Sequence, residues 1–203
     1  LYSMPLVVVV KGDSKLNTIE DFIDFAKKNP NRLSVGTPGI NSGHHFSLEL
    51  FKREAGIEVN HIPFQGDAPA VVGVMGAHVD AAFLGLVAVA EPMKAGTMKG
   101  LAMTTAKRVS QFPNLPTMAE KGFTKTGNIF SWGGVVAPAG LPAAILEKLS
   151  TSYQKAAADP DVVSQLEKVG FTATYMNARD FDDFVKDEHK RLMDIAQSAG
   201  MSK

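Results

Sequence analysis

The residues with the most chemical potential lie in one stretch, 35–51, where Gly36, Pro38, Gly39, Asn41, Ser42, Gly43, His44 and His45 are followed by Phe46, Leu48, Leu50 and Phe51. The first half breaks any regular element, and the second half, with Ala55, supplies an apolar helical face. Glu49, Lys52, Arg53 and Glu54 are expected on the solvated side. Asn41 and Ser42 are both N-cap types, whose side-chain oxygens accept from the first free amides of a helix. Such a helix start presents unbonded N–H groups and a partial positive charge to whatever lies over the loop. A carboxylate or phosphate would be held there without a basic side chain. The same residues also read as an ordinary βα connection that binds nothing. A nucleotide P-loop is excluded, because Gly43 is followed by His44 and His45 instead of Lys and Ser/Thr.

Rival chemistries are weaker. His45 and Glu49 are four apart and share a helical face, and His44 and His61 could complete a zinc site, which would make the chain a metal-dependent hydrolase. The spacing is His-x-x-x-Glu, however, and no base is placed beside it. The preferred reading is that His45 orders the loop by bonding its backbone while His44 is solvated. No Gly-x-Ser-x-Gly elbow is present, so Ser42 reads as a cap and not a nucleophile. Asp67 and Asp80 would be catalytic carboxylates only if the fold brought them together. Trp132, beside Gly133 and Gly134, reads equally as a cleft lining or as core. No catalytic residue, metal or cofactor is assigned, and the chain is read as a non-enzyme.

The elements that must position this stretch alternate. Apolar runs at 5–10, 33–36, 59–62, 79–84 and 100–104 read as strands, with 130–137 extended and 172–175 a short strand. Helical periodicity covers 19–29, 43–55, 69–75, 88–95, 142–158, 161–170 and 178–199. Thr18 with Asp21 forms a capping arrangement for the first helix. The alternation predicts an α/β doubly wound architecture. Ligands in such sheets sit at the carboxyl ends of strands, which gathers the loops after Val35, Ile62 and Leu84. None of those loops carries Lys or Arg.

A chain of 203 residues buries about 70% of its unfolded surface and needs no metal or disulfide to fold. With 21 basic and 21 acidic residues and no block of either sign, nothing draws nucleic acid or anionic lipid. The absence of cysteine removes disulfides and thiolate chemistry without fixing a compartment. The run at 5–10 is too short to span a membrane and lacks signal-peptide features. Opening on a buried-looking strand, the chain is expected to be a piece of a longer protein.

Several motifs in order resemble one family: Gly39-x-x-Ser42-x-x-His45-Phe with Glu49-Leu-Phe51, His61-Ile-Pro-Phe-Gln-Gly-x-x-Pro-Ala70, Gly76-x-x-Val-Asp80, Lys94-Ala-Gly96, Pro113-x-x-Pro-Thr117-x-x-Glu120-x-Gly122 and Trp132-x-Gly-x-x-Ala-Pro-x-Gly-x-Pro142. Together they look like the tripartite tricarboxylate transporter substrate-binding proteins, the Bug family. That resemblance implies a periplasmic-binding-protein-like type II fold, with two α/β lobes of doubly wound sheets joined by two hinge strands. Residues 1–12 would be a hinge strand and entry, 13–127 one complete lobe, and 128–203 the returning strand and C-terminal part of the other lobe, whose N-terminal part is missing. It implies a monomeric periplasmic protein that captures a dicarboxylate, tricarboxylate, acidic amino acid or aromatic acid and delivers it to membrane permease subunits. Carried over by position, the ligand-binding residues are Thr37, Gly39, Asn41, Ser42, Gly43 and His45, then Phe64 and Gly66, then Gly85 and Leu86. Leu84 and Gln65 depart from the family pattern and leave the ligand's side-chain preference open. The alternative from another class is a cytoplasmic ligand-sensing domain of a transcription regulator with the same fold.

Overall fold

The computed structural model describes residues 2–128 and 131–201. They divide into two compact units, one of residues 5–131 and a smaller one of residues 2–4 with 132–201.

The larger unit is built around the valine run. Strand β2 (Leu6–Lys11) is fully buried from Leu6 to Val10, because both faces of its sheet are covered. Val8 and Val10 join a core with Phe22, Leu48 and Phe51, on helices α1 (Ile19–Lys28) and α2 (Gly43–Ala55). Val7 and Val9 join a second core with Ala70, Val74, Leu86 and Val89, on helices α3 (Asp67–Met75) and α4 (Leu86–Lys94). A continuous apolar strand is what two-sided burial requires. Thr18 closes the expected capping box on α1: its side chain accepts from the Asp21 amide, and the Asp21 carboxylate accepts from the Thr18 amide.

The sheet order is β4-β3-β5-β2-β6, where β3 is Ser34–Thr37, β4 Asn60–Pro63, β5 Ala81–Gly85 and β6 Met98–Met103. β3 runs parallel to β4 and β5, whereas β2 lies antiparallel between β5 and β6. Apolar periodicity marks a strand as doubly covered but carries no direction, so this mixed sheet is a property of the fold alone. The segment expected as a hinge at 1–12 is divided between the units: β1 (Tyr2–Met4) pairs with β8 (Thr172–Ala173) in the smaller sheet, while β2 is an inner strand of the larger.

In the smaller unit the sheet order is β7-β1-β8, with β7 at Ser131–Gly133. Of the extended stretch expected over 130–137, residue 130 lies outside the described residues. Trp132 packs edge-on to Phe181 and Phe184 of helix α7 (Ala178–Ser198) and is partly buried there. Helices α5 (Ala143–Ala158) and α6 (Pro160–Lys168) complete it. The apolar side expected on α5 is half exposed, at 48% for Ile145 and 41% for Leu149.

Phe51 is the keystone of the first core, with its ring within 6 Å of those of Phe22, Phe83 and Phe123. Phe51→Ala is therefore expected to lower stability by about 3–5 kcal/mol, the usual cost of emptying a fully buried phenylalanine site. Urea unfolding checks this; a loss under about 1 kcal/mol would show that the ring is not packed as described.

Candidate functional site

Because β3, β4 and β5 are parallel, their carboxyl ends, at Thr37, Pro63 and Gly85, lie on one edge of the larger sheet. Backbone bonds tie the following loops together. The Phe64 amide donates to the Thr37 carbonyl at 2.8 Å, and the Gly66 amide to the Pro38 carbonyl at 2.8 Å. Gly66 holds φ at 117°, a conformation only glycine adopts readily. The Gly85 amide donates to Asp67 Oδ1 at 3.0 Å, which joins the third loop to the second. The Leu86 amide donates to the Pro5 carbonyl.

Phe64 lies between two glycines. A Cβ on Gly36 would meet its ring at 3.0 Å, and one on Gly73 at 2.6 Å. Gly73 sits inside α3, where glycine costs about 1 kcal/mol in helix propensity; the space it leaves is filled by that ring.

The first loop is held by its own side chains. Ser42 is the N-cap of α2: its hydroxyl accepts from the His45 amide at 3.2 Å and donates to the Gly39 carbonyl at 2.8 Å. Asn41, the other cap candidate, instead adopts φ 59°, and its amide donates to His45 Nδ1 at 3.1 Å. His45 thus orders the loop by bonding backbone, as the sequence reading expects. Below the cap, the amides of Gly43 and His44 have no hydrogen-bond acceptor among the described residues. Gly39, Asn41, Ser42, Gly43, Phe64 and Gly66 keep some exposure, whereas Thr37, His45, Gly85 and Leu86 are buried behind them.

Two expectations are corrected. His44 is not solvated: it is 6% exposed, with Nε2 lacking a hydrogen-bond partner and lying 3.7 Å from Asp67 Oδ1. On the expected solvated side of α2, Glu49 and Lys52 are mostly covered too, with 11% and 17% of their side chains exposed. For His44 the cause is tertiary, since Asp67 at the start of α3 faces it; Glu49 is covered within its own helix, by His45 four residues before it and Lys52 three residues after it. Asp67 and Asp80 do not meet. Asp80 accepts from the Ser34 amide and hydroxyl at the opposite edge of the sheet.

Sequence reasoning offered His61 only a place in a zinc site and put Glu54 on the solvated side of α2, and the structure gives both other partners. His61 Nε2 is 2.7 Å from Thr37 Oγ1, and its ring stacks on that of His45 at 4.2 Å. Register supplies this contact, since β4 sets His61 opposite Val35. Glu54 accepts from the Lys125 and Thr126 amides and the Thr126 hydroxyl, which ties residues 125–126 to α2. Among the described residues no group of three His, Asp or Glu side chains is arranged to hold a metal ion.

Burial holds all three histidines toward the neutral form. For His44 the Asp67 carboxylate partly opposes it, and for His45 the Lys52 ammonium adds to it. His61 is pushed down to about 4 by desolvation and by His45.

The architecture is that of the periplasmic-binding-protein-like α/β proteins. The backbone of R. palustris Rpa4515 with adipate superposes with a TM-score of 0.88 at 29% identity, over 98% of this chain and 67% of that one. The periplasmic binding protein BugD superposes with a TM-score of 0.84 at 28% identity, over 98% and 67%. Residues 1–201 match the profile of the tripartite tricarboxylate transporter family receptor, TctC, and the chain belongs to this family of solute-binding proteins. Relatives include a UPF0065 protein in the tcbD-tcbE intergenic region of Pseudomonas sp. (strain P51), 30% identical over 93% of this chain and 56% of that protein. Protein BugT of Bordetella pertussis is 29% identical over 97% of this chain and 60% of its own length. The chain thus spans about three-fifths of the length of these relatives. Among the described residues no helix is long and apolar enough to cross a membrane.

The lowered His61 value fixes a pH dependence of stability. Its folded value, about 4, lies below the ordinary 6.5, so the unfolded chain binds the proton more readily. The stabilisation is complete above about pH 6.5 and is lost as pH falls toward 4. The melting temperature should therefore drop across that window, and His61→Gln should flatten the drop. Parallel profiles for wild type and variant would contradict this.

Proposed function

We propose that the chain is the carboxylate-gripping part of an extracytoplasmic solute-binding protein. It captures a small organic carboxylate at the carboxyl edge of the larger sheet and serves delivery to the permease of a tripartite tricarboxylate transporter. The observation that carries this is the start of α2. A serine-capped helix leaves the Gly43 and His44 amides unbonded beside the loops that follow β3, β4 and β5, and those three loops contain no Lys or Arg. An oxyanion accepts from such amides and gains from the helix dipole by about 0.3–1 kcal/mol. Family membership and the likeness to the adipate-bound Rpa4515 support the same chemistry. Gly39, Asn41, Ser42 and Gly43 would form the grip, with Phe64 and Gly66 beside it and Thr37, His45, Gly85 and Leu86 as its backing. The protein then works in the periplasm as a binding component without catalysis.

The test is a thermal melt against mono-, di- and tricarboxylates and amino acids. A ligand at a hundred times its dissociation constant adds about 2.7 kcal/mol, or about 5–10 °C for a chain of this size. A rise confined to carboxylates supports the proposal. A cooperative melt that none of them moves, with no heat of binding by calorimetry, overturns it. Ser42→Ala removes the cap and should lower stability by about 1 kcal/mol and weaken any carboxylate; unchanged affinity would place the site elsewhere.

A further inference from the structure

Behind the first loop lies a pair of histidines whose ability to take up a proton the binding reading does not use. The rings of His45 and His61 are stacked with centroids 4.2 Å apart and planes 17° from parallel. Each bonds a residue of the loop. His45 Nδ1 accepts from the Asn41 amide, and His61 Nε2 meets Thr37 Oγ1, whose hydroxyl donates to the Gly39 carbonyl at 3.3 Å. The bond to Asn41 fixes the tautomer of neutral His45: Nδ1 carries no proton, so its N–H is Nε2, 3.8 Å from Glu49 Oε1. Between Thr37 Oγ1 and His61 Nε2 either atom can donate, because the hydroxyl hydrogen can turn to the Gly39 carbonyl.

We infer that this pair is a proton-sensitive support for the loop, so that acidification of the surroundings dismantles the carboxylate grip and releases its ligand; the inference rests on the function proposed above.

The consequence of protonation differs for the two rings. A second proton on His61 leaves its bond to Thr37 intact, because the Thr37 oxygen can accept from Nε2 while its hydroxyl donates to Gly39. A second proton on His45 goes to Nδ1 itself and sets an N–H donor against the Asn41 N–H at 3.1 Å. Two donors cannot share that geometry, so the bond breaks. Asn41, at φ 59°, then loses the contact that holds it in a conformation non-glycine residues seldom adopt. Asn41 lies next to Ser42, the cap on which the free Gly43 and His44 amides depend.

The groups facing the pair set where this happens. On α2, Lys52 sits against Glu49 at 3.0 Å and disfavours a proton on His45, and Glu58 reaches Lys52 at 3.6 Å. From β4 comes His61, and from β3 the uncharged Thr37. His44 at the start of α2 and Asp67 at the start of α3, 3.7 Å apart, occupy the neighbouring position. Glu49 lies close enough to compensate a charge on His45, so the added charge gives an anionic ligand little compensation, and the geometric conflict decides the sign.

Two measurements on the full chain test this. The first follows the imidazole signals of His45 and the amide of Asn41 by NMR as pH is lowered from 7 toward 4. The Asn41 amide should shift with the same midpoint as His45, below the ordinary 6.5. An Asn41 amide that ignores His45 protonation overturns the inference, whether or not any carboxylate binds. The second measures the affinity for adipate across the same range, in wild type, in His45→Gln and in Lys52→Met. Comparison at equal pH cancels the titration of adipate itself. Wild type should lose about tenfold more affinity than His45→Gln, the worth of one hydrogen bond. Lys52→Met should move the loss to higher pH, because the cation opposing His45 is gone. Parallel losses in all the proteins, or affinity that rises on acidification, overturn the inference. If adipate and every other carboxylate fail to bind at pH 7, the proposed function falls, and the Asn41 response still decides the proton linkage.

Discussion

A peptide amide at the edge of a sheet must find an acceptor, and this requirement shapes the carboxyl edge of the larger unit. There the loops satisfy one another. Phe64 donates to Thr37 and Gly66 to Pro38, while Gly85 donates to the Asp67 side chain. Buried backbone groups are almost always paired, so each tie fixes a loop as firmly as a packing contact would. What the ties leave over is the first turn of α2. Ser42 caps His45, and two amides remain directed away from the helix. The candidate site is the remainder of a hydrogen-bond network.

Electrostatics follows from that network. With no Lys or Arg in the loops after β3, β4 and β5, what those loops offer an anion is amides and a helix dipole. Those contributions are modest and directional, and they lose little to salt when partly buried. The nearby ionisable groups are arranged not to interfere. His44 and His45 are held toward neutrality by burial, so neither puts a full charge at the helix start, and the Asp67 carboxylate is engaged with the Gly85 amide. Fit then depends on where the amides point, which is why the side chains behind the loop matter more than their distance from solvent suggests.

Much of this was legible from residue types. The valine run announces a strand covered on both faces, Thr18 with Asp21 announces a helix start, and Ser42 before Gly43 announces the cap. These are local signals, and local chemistry decides them. Direction and register are not local. Nothing in the run at 5–10 says that β2 lies antiparallel between β5 and β6. Nothing in the spacing of His45 and His61 says that their rings stack, because that depends on β4 pairing with β3 one residue at a time. The burial of His44 escaped for the same reason, because its partner Asp67 lies on another helix; that of Glu49 involves Lys52 and His45 on its own helix, whose spacing gives neighbours but not the degree of burial.

The most direct test of the account is to watch the amides themselves. In a titration of the isotope-labelled chain with a dicarboxylate such as adipate, the amide signals of Gly43 and His44 should move first and furthest. The signals of Phe64, Gly66 and Gly85, already bonded within the protein, should move less. Saturable shifts concentrated at Gly43 and His44 are the predicted result. Shifts centred on residues away from the start of α2, or none at millimolar adipate and at comparable concentrations of other carboxylates, would contradict it.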